Sequence, residues 1–244
     1  MMKLGENMRI DKFLAHATGC SRSDVKKFIK QKVVAIDGTI IRDAGTKVNT
    51  SKQIVTLFDE PIHYQVLVYL MMNKPQGYLS ATSDLMDETV LDLLDESYLR
   101  YDLSVAGRLD KNTEGLLILT NDGQLIHEVI TPKKEVYKKY LAQVEGNLSE
   151  IDCEKLESGV EILDGKNQAF TTKPAKVNVI GSGEVEIEIC EGKFHQVKRM
   201  FAAVGCKVTY LKRLSIGGLY LDSELALGEY RELEEQEIKL LVSK

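Results

Sequence analysis

Apolar residues at Ile10, Phe13, Leu14 and Ala17 follow the i, i+3, i+4, i+7 spacing that lines one face of an α-helix, and Gly19 is placed to end it. The pattern restarts at Ser21, which with Asp24 resembles a capping box with a shorter acid. Val25, Phe28 and Ile29 then form an apolar stripe, and Arg22, Lys26, Lys27 and Lys30 occupy the opposite face. After Gln31 the period changes. Val33-Val34-Ala35-Ile36, the turn pair Asp37-Gly38 and Thr39-Ile40-Ile41 predict a β-hairpin. Two short helices and a hairpin therefore predict a small domain over residues 8–52, with a linker over 53–65 and a larger domain over 66–244.

The larger segment mixes strands and helices irregularly. Strands are expected at 66–72, 104–106, 139–144, 184–189 and 207–211. Helices are expected at 88–94, 124–130, after Ser149, and at 196–204. The run Leu116-Leu117-Ile118-Leu119 has no alternation, as suits a strand buried on both faces, and Asn121-Asp122-Gly123 ends it with turn residues. This order predicts an α+β fold whose sheet is mixed but largely antiparallel and flanked by helices.

Charge sharpens the division. Over all 244 residues, 32 basic against 37 acidic side chains give a net charge of −5, which taken whole argues against a nucleic-acid partner. Residues 1–52, however, hold 11 Lys and Arg against 5 Asp and Glu, whereas residues 53–244 hold 21 against 32. The average conceals a basic segment of +6 joined to an acidic one of −11.

Several chemistries lack their signatures. The cysteines at 20, 153, 190 and 206 contain no close pair of the kind that binds zinc or forms a redox dithiol, and they read as reduced, in a cytoplasmic protein. His16, His63, His127 and His195 lack metal-ligand spacing, so no metal is expected. There is no phosphate-binding P-loop, dinucleotide glycine fingerprint or nucleophile elbow. The longest apolar run, Val66 to Met72, is far short of the roughly 20 residues of a membrane helix. Residues 1–7 lack the apolar centre of a signal peptide and read as an extension or an alternative start. One candidate remains, Asp110, set between Arg108 and Lys111 at the edge of a buried strand. As a turn aspartate it would cap local backbone. As a carboxylate among cations it could serve as nucleophile or base.

Resemblances then add to these patterns. MRIDKFLAHATGCSRSDVKKFIKQKVVAIDGTIIRDAGTKV resembles the S-four-type RNA-binding domain. That resemblance implies phosphate contacts from Arg9, Lys12, Arg22, Lys26, Lys27 and Lys30, which would bind through counterion release. GRLDKNTEGLLILTNDG (107–123) resembles the signature loop of pseudouridine synthases, in which the aspartate is catalytic. NKPQGYLS, KKY and EGKFHQVKRMFAAVG resemble three further motifs of the RsuA-type branch, and LKRLSIGGLYLD and GEYREL extend the similarity over nearly the whole chain. The HQVKRMFAAVG wording is similar to the branch acting on small-subunit ribosomal RNA, with Cys206 a departure where Asn is usual.

The implied reaction is isomerisation of uridine to pseudouridine without a cofactor. Asp110 would attack the ribose or the base, or deprotonate the sugar. Tyr140 would stack on the detached uracil, and Lys198 would pair with Asp110, with Arg199 as its substitute. Arg108, Lys111 and Arg213 would meet phosphates, while Lys74 and Gln76 would shape the cleft, with Lys74 also at the RNA interface. The implied partner is ribosomal RNA, within a partly assembled small subunit, bound by a monomer. Three rivals stand beside this reading: a synthase acting on large-subunit RNA, a non-catalytic assembly factor, and a glycosidase. The last generally needs two carboxylates across the bond.

Overall fold

The computed structural model describes residues 8–50, 52–62, 67–165 and 168–243. The extension expected over residues 1–7 and the strand start expected at Val66 lie outside them. The chain divides into two compact units, one reaching to Val68 together with Asp95–Asp102, the other comprising Tyr69–Leu94 and the remainder from Leu103.

In the first unit, β1 (Met8–Arg9) leads into α1 (Ile10–Thr18), which buries Ile10, Phe13 and Leu14 and ends at Gly19 with φ 72°. A residue without a Cβ takes that left-handed turn at no steric cost. Helix α2 (Arg22–Lys30) starts where the Ser21 hydroxyl accepts the Asp24 N–H at 3.2 Å, and it buries Val25 and Ile29. The hairpin of β2 (Val34–Ile36) and β3 (Thr39–Ile40) turns on Asp37 and Gly38, both at positive φ. β4 (Lys47–Val48) pairs with β1.

The segment expected as linker behaves differently. β5 (Val55–Leu57) pairs with β2, and β6 (Glu60–Pro61) pairs with β5, completing a four-stranded sheet. Val55 enters the same core as Ile10, Phe13, Leu14, Val25 and Val34. The Asp37 carboxylate fastens the segment by accepting the Ile54 N–H at 2.9 Å. Three residues are too few to display strand periodicity, so the sequence pattern missed them.

The second unit is built on a nine-stranded sheet. Its elements in chain order are β7 (Tyr69–Lys74), β8 (Ser104–Val105), β9 (Glu114–Thr120), α3 (Gly123–Ile130), β10 (Lys138–Glu145) and α4 (Glu150–Ser158). They continue as β11 (Glu161–Leu163), β12 (Ala169–Thr171), β13 (Lys176–Gly181), β14 (Glu184–Ile189), α5 (Gln196–Ala203), β15 (Lys207–Ile216), β16 (Leu219–Tyr220), β17 (Tyr230–Glu232) and α6 (Glu235–Leu240). The sheet runs β13-β14-β10-β15-β9-β7-β17, with β16 beside β15 and β8 beside β9, while β11 and β12 form a separate hairpin.

Every pairing in the large sheet is antiparallel except β15 with β9, where Lys212 and Arg213 lie opposite Glu114 and Gly115. The fold is therefore α+β with a mixed, largely antiparallel sheet. Leu116 to Leu119 are completely buried at its centre.

Two elements depart from expectation. The helix expected at 88–94 is a single 3-10 turn, Val90–Leu93, closed at its start by a Thr89–Asp92 capping box. Only Val90 within it is buried, too little apolar surface to support further turns. The strand expected to stop at Leu211 continues to Ile216. Polar residues at 212, 213 and 215 break its apolar pattern, yet Arg213 and Ser215 are buried along with Leu211 and Ile216.

Candidate active site

Asp110 lies in the loop joining β8 to β9. That loop is held from below by groups distant in sequence. The buried Ser80 hydroxyl accepts the Leu109 N–H at 3.1 Å and donates to the Leu109 carbonyl at 2.9 Å. Thr113 N–H closes a turn onto the Asp110 carbonyl at 3.0 Å, and Gly77 N–H bonds the Lys111 carbonyl at 2.9 Å.

Lys74 and Arg213, expected to meet RNA, are instead buried beneath the loop. The Lys74 ammonium donates to the carbonyls of Pro75, Thr113 and Lys111 at 2.8, 3.1 and 3.4 Å. Arg213 donates from Nε to Leu116 at 2.7 Å and from Nη2 to Gly107 at 3.0 Å. These donors satisfy carbonyls that burial would otherwise strand, each a loss of about 1–3 kcal/mol. Both charged ends are buried on backbone carbonyls, which withholds them from a phosphate. Burial pushes Lys74 down to about 8, against the opposing pull of Asp110 and Glu114. Gly115 makes the close packing possible, because a Cβ there would come 2.2 Å from the Arg213 carbonyl oxygen.

Above the loop the cleft is lined by Arg108, Asp110, Thr113, Tyr140, His195 and Lys198, with Ile189 and Leu211 among its apolar residues. Lys198, on α5, places Nζ 3.1 Å from Asp110 Oδ2. The Asp110 side chain retains 25% exposure, so the carboxylate is both paired and reachable. Tyr140, on β10 opposite Ile187 and Arg213, is nearly buried. Thr113 is also buried, and its hydroxyl has no hydrogen-bond partner among the described residues.

The other expected residues separate. Arg108 is exposed at the cleft. Lys111 bridges to Asp87 at 2.6 Å, which occupies the charge expected for a phosphate. Gln76 is exposed. Arg199 does not substitute for Lys198: one helical position further on, it donates to the Leu163 carbonyl and packs over the Phe194 ring at 5.1 Å.

In the N-terminal unit Lys12, Lys26, Lys27 and Lys30 are exposed, with Lys27 bound to Asp24 at 2.8 Å. Arg9 and Arg22 converge on the buried Asp11 at 3.0 and 2.7 Å, and the Arg9 hydrogen bond leads the effects that hold that carboxyl down at about 2.

Sequence reasoning missed His195, whose Nε2 lies 3.6 Å from Asp110 Oδ1. Metal-ligand spacing gives no signal for it, although it stands inside the quoted HQVKRM segment. It also missed the support beneath that segment, where buried Glu191 accepts Gln196 Nε2 at 2.7 Å and the Lys173 N–H at 2.8 Å.

Comparison with known proteins extends these observations. A family model described as RNA pseudouridylate synthase matches residues 68–203, and an S4 domain model matches residues 8–54. The uncharacterized RNA pseudouridine synthase YtzG of Bacillus subtilis is 48% identical, across 96% of this chain and 98% of its own. The ribosomal small subunit pseudouridine synthase A of Yersinia pestis is 43% identical, across 95% and 97% of the two chains. The protein of that name from Escherichia coli is 41% identical, across 96% and 100%. A crystal structure described as a pseudouridylate synthase matches with a TM-score of 0.66 at 37% identity, across 96% and 99% of the two chains. The chain belongs to the RsuA family of RNA pseudouridine synthases and carries an N-terminal S4 domain.

Proposed function

We propose that this enzyme converts one uridine of small-subunit ribosomal RNA to pseudouridine, with Asp110 as the catalytic residue. The supporting observation for the target is that similarity to synthases named for the small ribosomal subunit runs through both units of the chain, not the catalytic part alone.

In the reaction the N1–C1′ bond breaks, the uracil turns, and C5 joins the same C1′. Asp110 opens it by attacking the ribose or the base, or by removing a sugar proton, and every route requires a reachable carboxylate. Lys198 fixes that carboxylate through Oδ2. Tyr140 stacks on the freed base, a contact worth about 1–3 kcal/mol. The unpartnered Thr113 hydroxyl offers a hydrogen bond to a polar edge.

The target must leave its stack, at a cost of a few kcal/mol. Arg108 is placed to engage the backbone beside it. Lys12, Lys26 and Lys30 hold the surrounding RNA by counterion release, with the exposed flanks of Arg9, Arg22 and Lys27 contributing. The enzyme acts in the cytoplasm as a monomer on a partly assembled small subunit.

Mapping pseudouridines in ribosomal RNA from cells lacking this protein tests the target. Loss of a single small-subunit site is expected. Loss of a large-subunit site would reassign the substrate, and an unchanged map would favour a non-catalytic role in assembly.

A further inference from the structure

Asp110 has two carboxylate oxygens, and the cleft gives them unlike neighbours. Lys198 Nζ is 3.1 Å from Oδ2, whereas His195 Nε2 is 3.6 Å from Oδ1. The second arrangement is built at a cost. His195 opens α5 with φ 51°, in the left-handed region, which histidine enters more readily than most residues bearing a Cβ but still uncommonly. Backbone strain of this kind persists where surrounding contacts over-determine it, and it gathers at functional sites.

Those contacts are visible here. The imidazole stacks on Phe194 with ring centres 3.8 Å apart and planes 19° from parallel, and the Arg199 guanidinium packs over the same phenyl ring at 5.1 Å. On either side of the stack, Gln196 accepts the Lys193 N–H at 2.8 Å and donates to Glu191 at 2.7 Å. The ring is thus held with one nitrogen toward the catalytic carboxylate.

Uridine isomerisation has a proton to move. When uracil is rejoined to C1′ through C5, C5 carries both the sugar and its original hydrogen, while N1 lacks a proton. One proton must leave C5 and one must reach N1. The two atoms flank C6, so a single group at that edge of the ring can serve both. Lys198 is engaged as a cation with Oδ2, and Asp110 performs the opening step. Imidazole is the side chain that both accepts and donates protons near neutral pH.

We infer that His195 is the acid–base residue of this site, an assignment that rests on the synthase reading above. Nε2 takes the proton from C5, and the C5–H electron pair forms the C5=C6 bond. The former N1=C6 π pair becomes the N1 lone pair, which takes a proton back from the imidazolium. Asp110 Oδ1 stabilises that imidazolium while it exists. Atoms and electrons balance within substrate and histidine. The charged and titratable groups around the ring are Asp110, Arg108, Tyr140, Lys193 and Lys198, with Arg199 beyond Phe194.

The test uses the full chain with small- and large-subunit ribosomal RNA transcripts bearing hydrogen or deuterium at uridine C5. His195→Asn retains a residue that tolerates left-handed backbone, and His195→Gly leaves room for added imidazole. In His195→Asn, kcat should fall about 100-fold with KM nearly unchanged, and a C5 deuterium isotope effect on kcat should appear or grow. Imidazole should restore turnover to His195→Gly. Wild-type kcat in His195→Asn would overturn the assignment, as would a slow variant with an unaltered isotope effect and no imidazole rescue. Absence of C5 deuterium release by the unmodified enzyme from every transcript would instead overturn the synthase reading, and this inference with it.

Discussion

In the N-terminal unit Lys12, Lys26 and Lys30 extend into solvent from two nine-residue helices, whereas in the catalytic unit Lys74, Lys138 and Arg213 are buried with their charged ends on backbone carbonyls. Lys138 shows the second pattern plainly. Its ammonium donates to the Val129 carbonyl, in the last turn of α3, at 2.9 Å and to Val136 at 2.8 Å, and burial pushes it down to about 8. Cations of one unit are thus available to a polyanion, while several in the other are spent on the protein's own backbone. A count of basic residues in the sequence treats both groups alike, but only the exposed group can release counterions from RNA. Around Asp110 the cleft keeps Arg108, Lys193 and Lys198.

The most severe way to separate the units is Asp110→Asn. Turnover should fall by about 10⁴-fold or more, the scale of losing a catalytic nucleophile or base. RNA affinity and melting temperature should stay at wild-type values, as measured by C5 hydrogen release, filter binding and calorimetry. Wild-type turnover would remove Asp110 from the mechanism.

Arg213→Met tests whether a buried cation has any dealing with RNA. Two stranded carbonyls predict a loss of about 3 kcal/mol in urea unfolding. A displaced Asp110 loop predicts about 100-fold slower turnover. The salt dependence of RNA binding should not change. A slope reduced by about one unit with full stability would mean that Arg213 contacts a phosphate after all.

Replacing Lys12, Lys26 and Lys30 together by Gln makes the opposite comparison. Stability should hold, while the log–log salt slope of RNA binding should shrink by about 2–3 units. An unchanged slope would show that the RNA rests elsewhere.

The smallest effect concerns Asp11. Its folded carboxyl is held down at about 2, from an ordinary 3.8, so its contribution is fully present above about pH 4 and lost as the pH falls toward 2. Asp11→Asn should cost about 1 kcal/mol at neutral pH. Urea-unfolding curves of variant and wild type should converge under acid; a constant gap down to pH 2 would contradict the ion-pair account.

Much of this protein was legible before folding. Gly19 and Ser21 mark helix ends because their turn and capping preferences are local, and Asp37-Gly38 marks a hairpin for the same reason. Leu116 to Leu119 display their burial on both faces through the absence of alternation. The quoted motifs brought Asp110, Tyr140 and Lys198 forward, and all three line one cleft.

What stayed hidden depended on partners far along the chain. Val55 has too short a strand to show a period, yet it completes a core begun at Ile10. His195 stands inside the quoted HQVKRM segment, but its contact with Asp110 exists only where α5 meets the β8–β9 loop. Arg213 reads as an ordinary basic residue until β15 lies parallel to β9 and brings it beneath Gly107, 106 positions earlier in the chain. Hydrophobic period, turn chemistry and charge sign are properties of neighbouring residues, so the sequence alone marked most of the elements, while the quoted motifs carried the family resemblance and brought the aspartate forward. The direction in which each charge points depends on which carbonyls the sheet order leaves unpaired, and only the tertiary structure decided that.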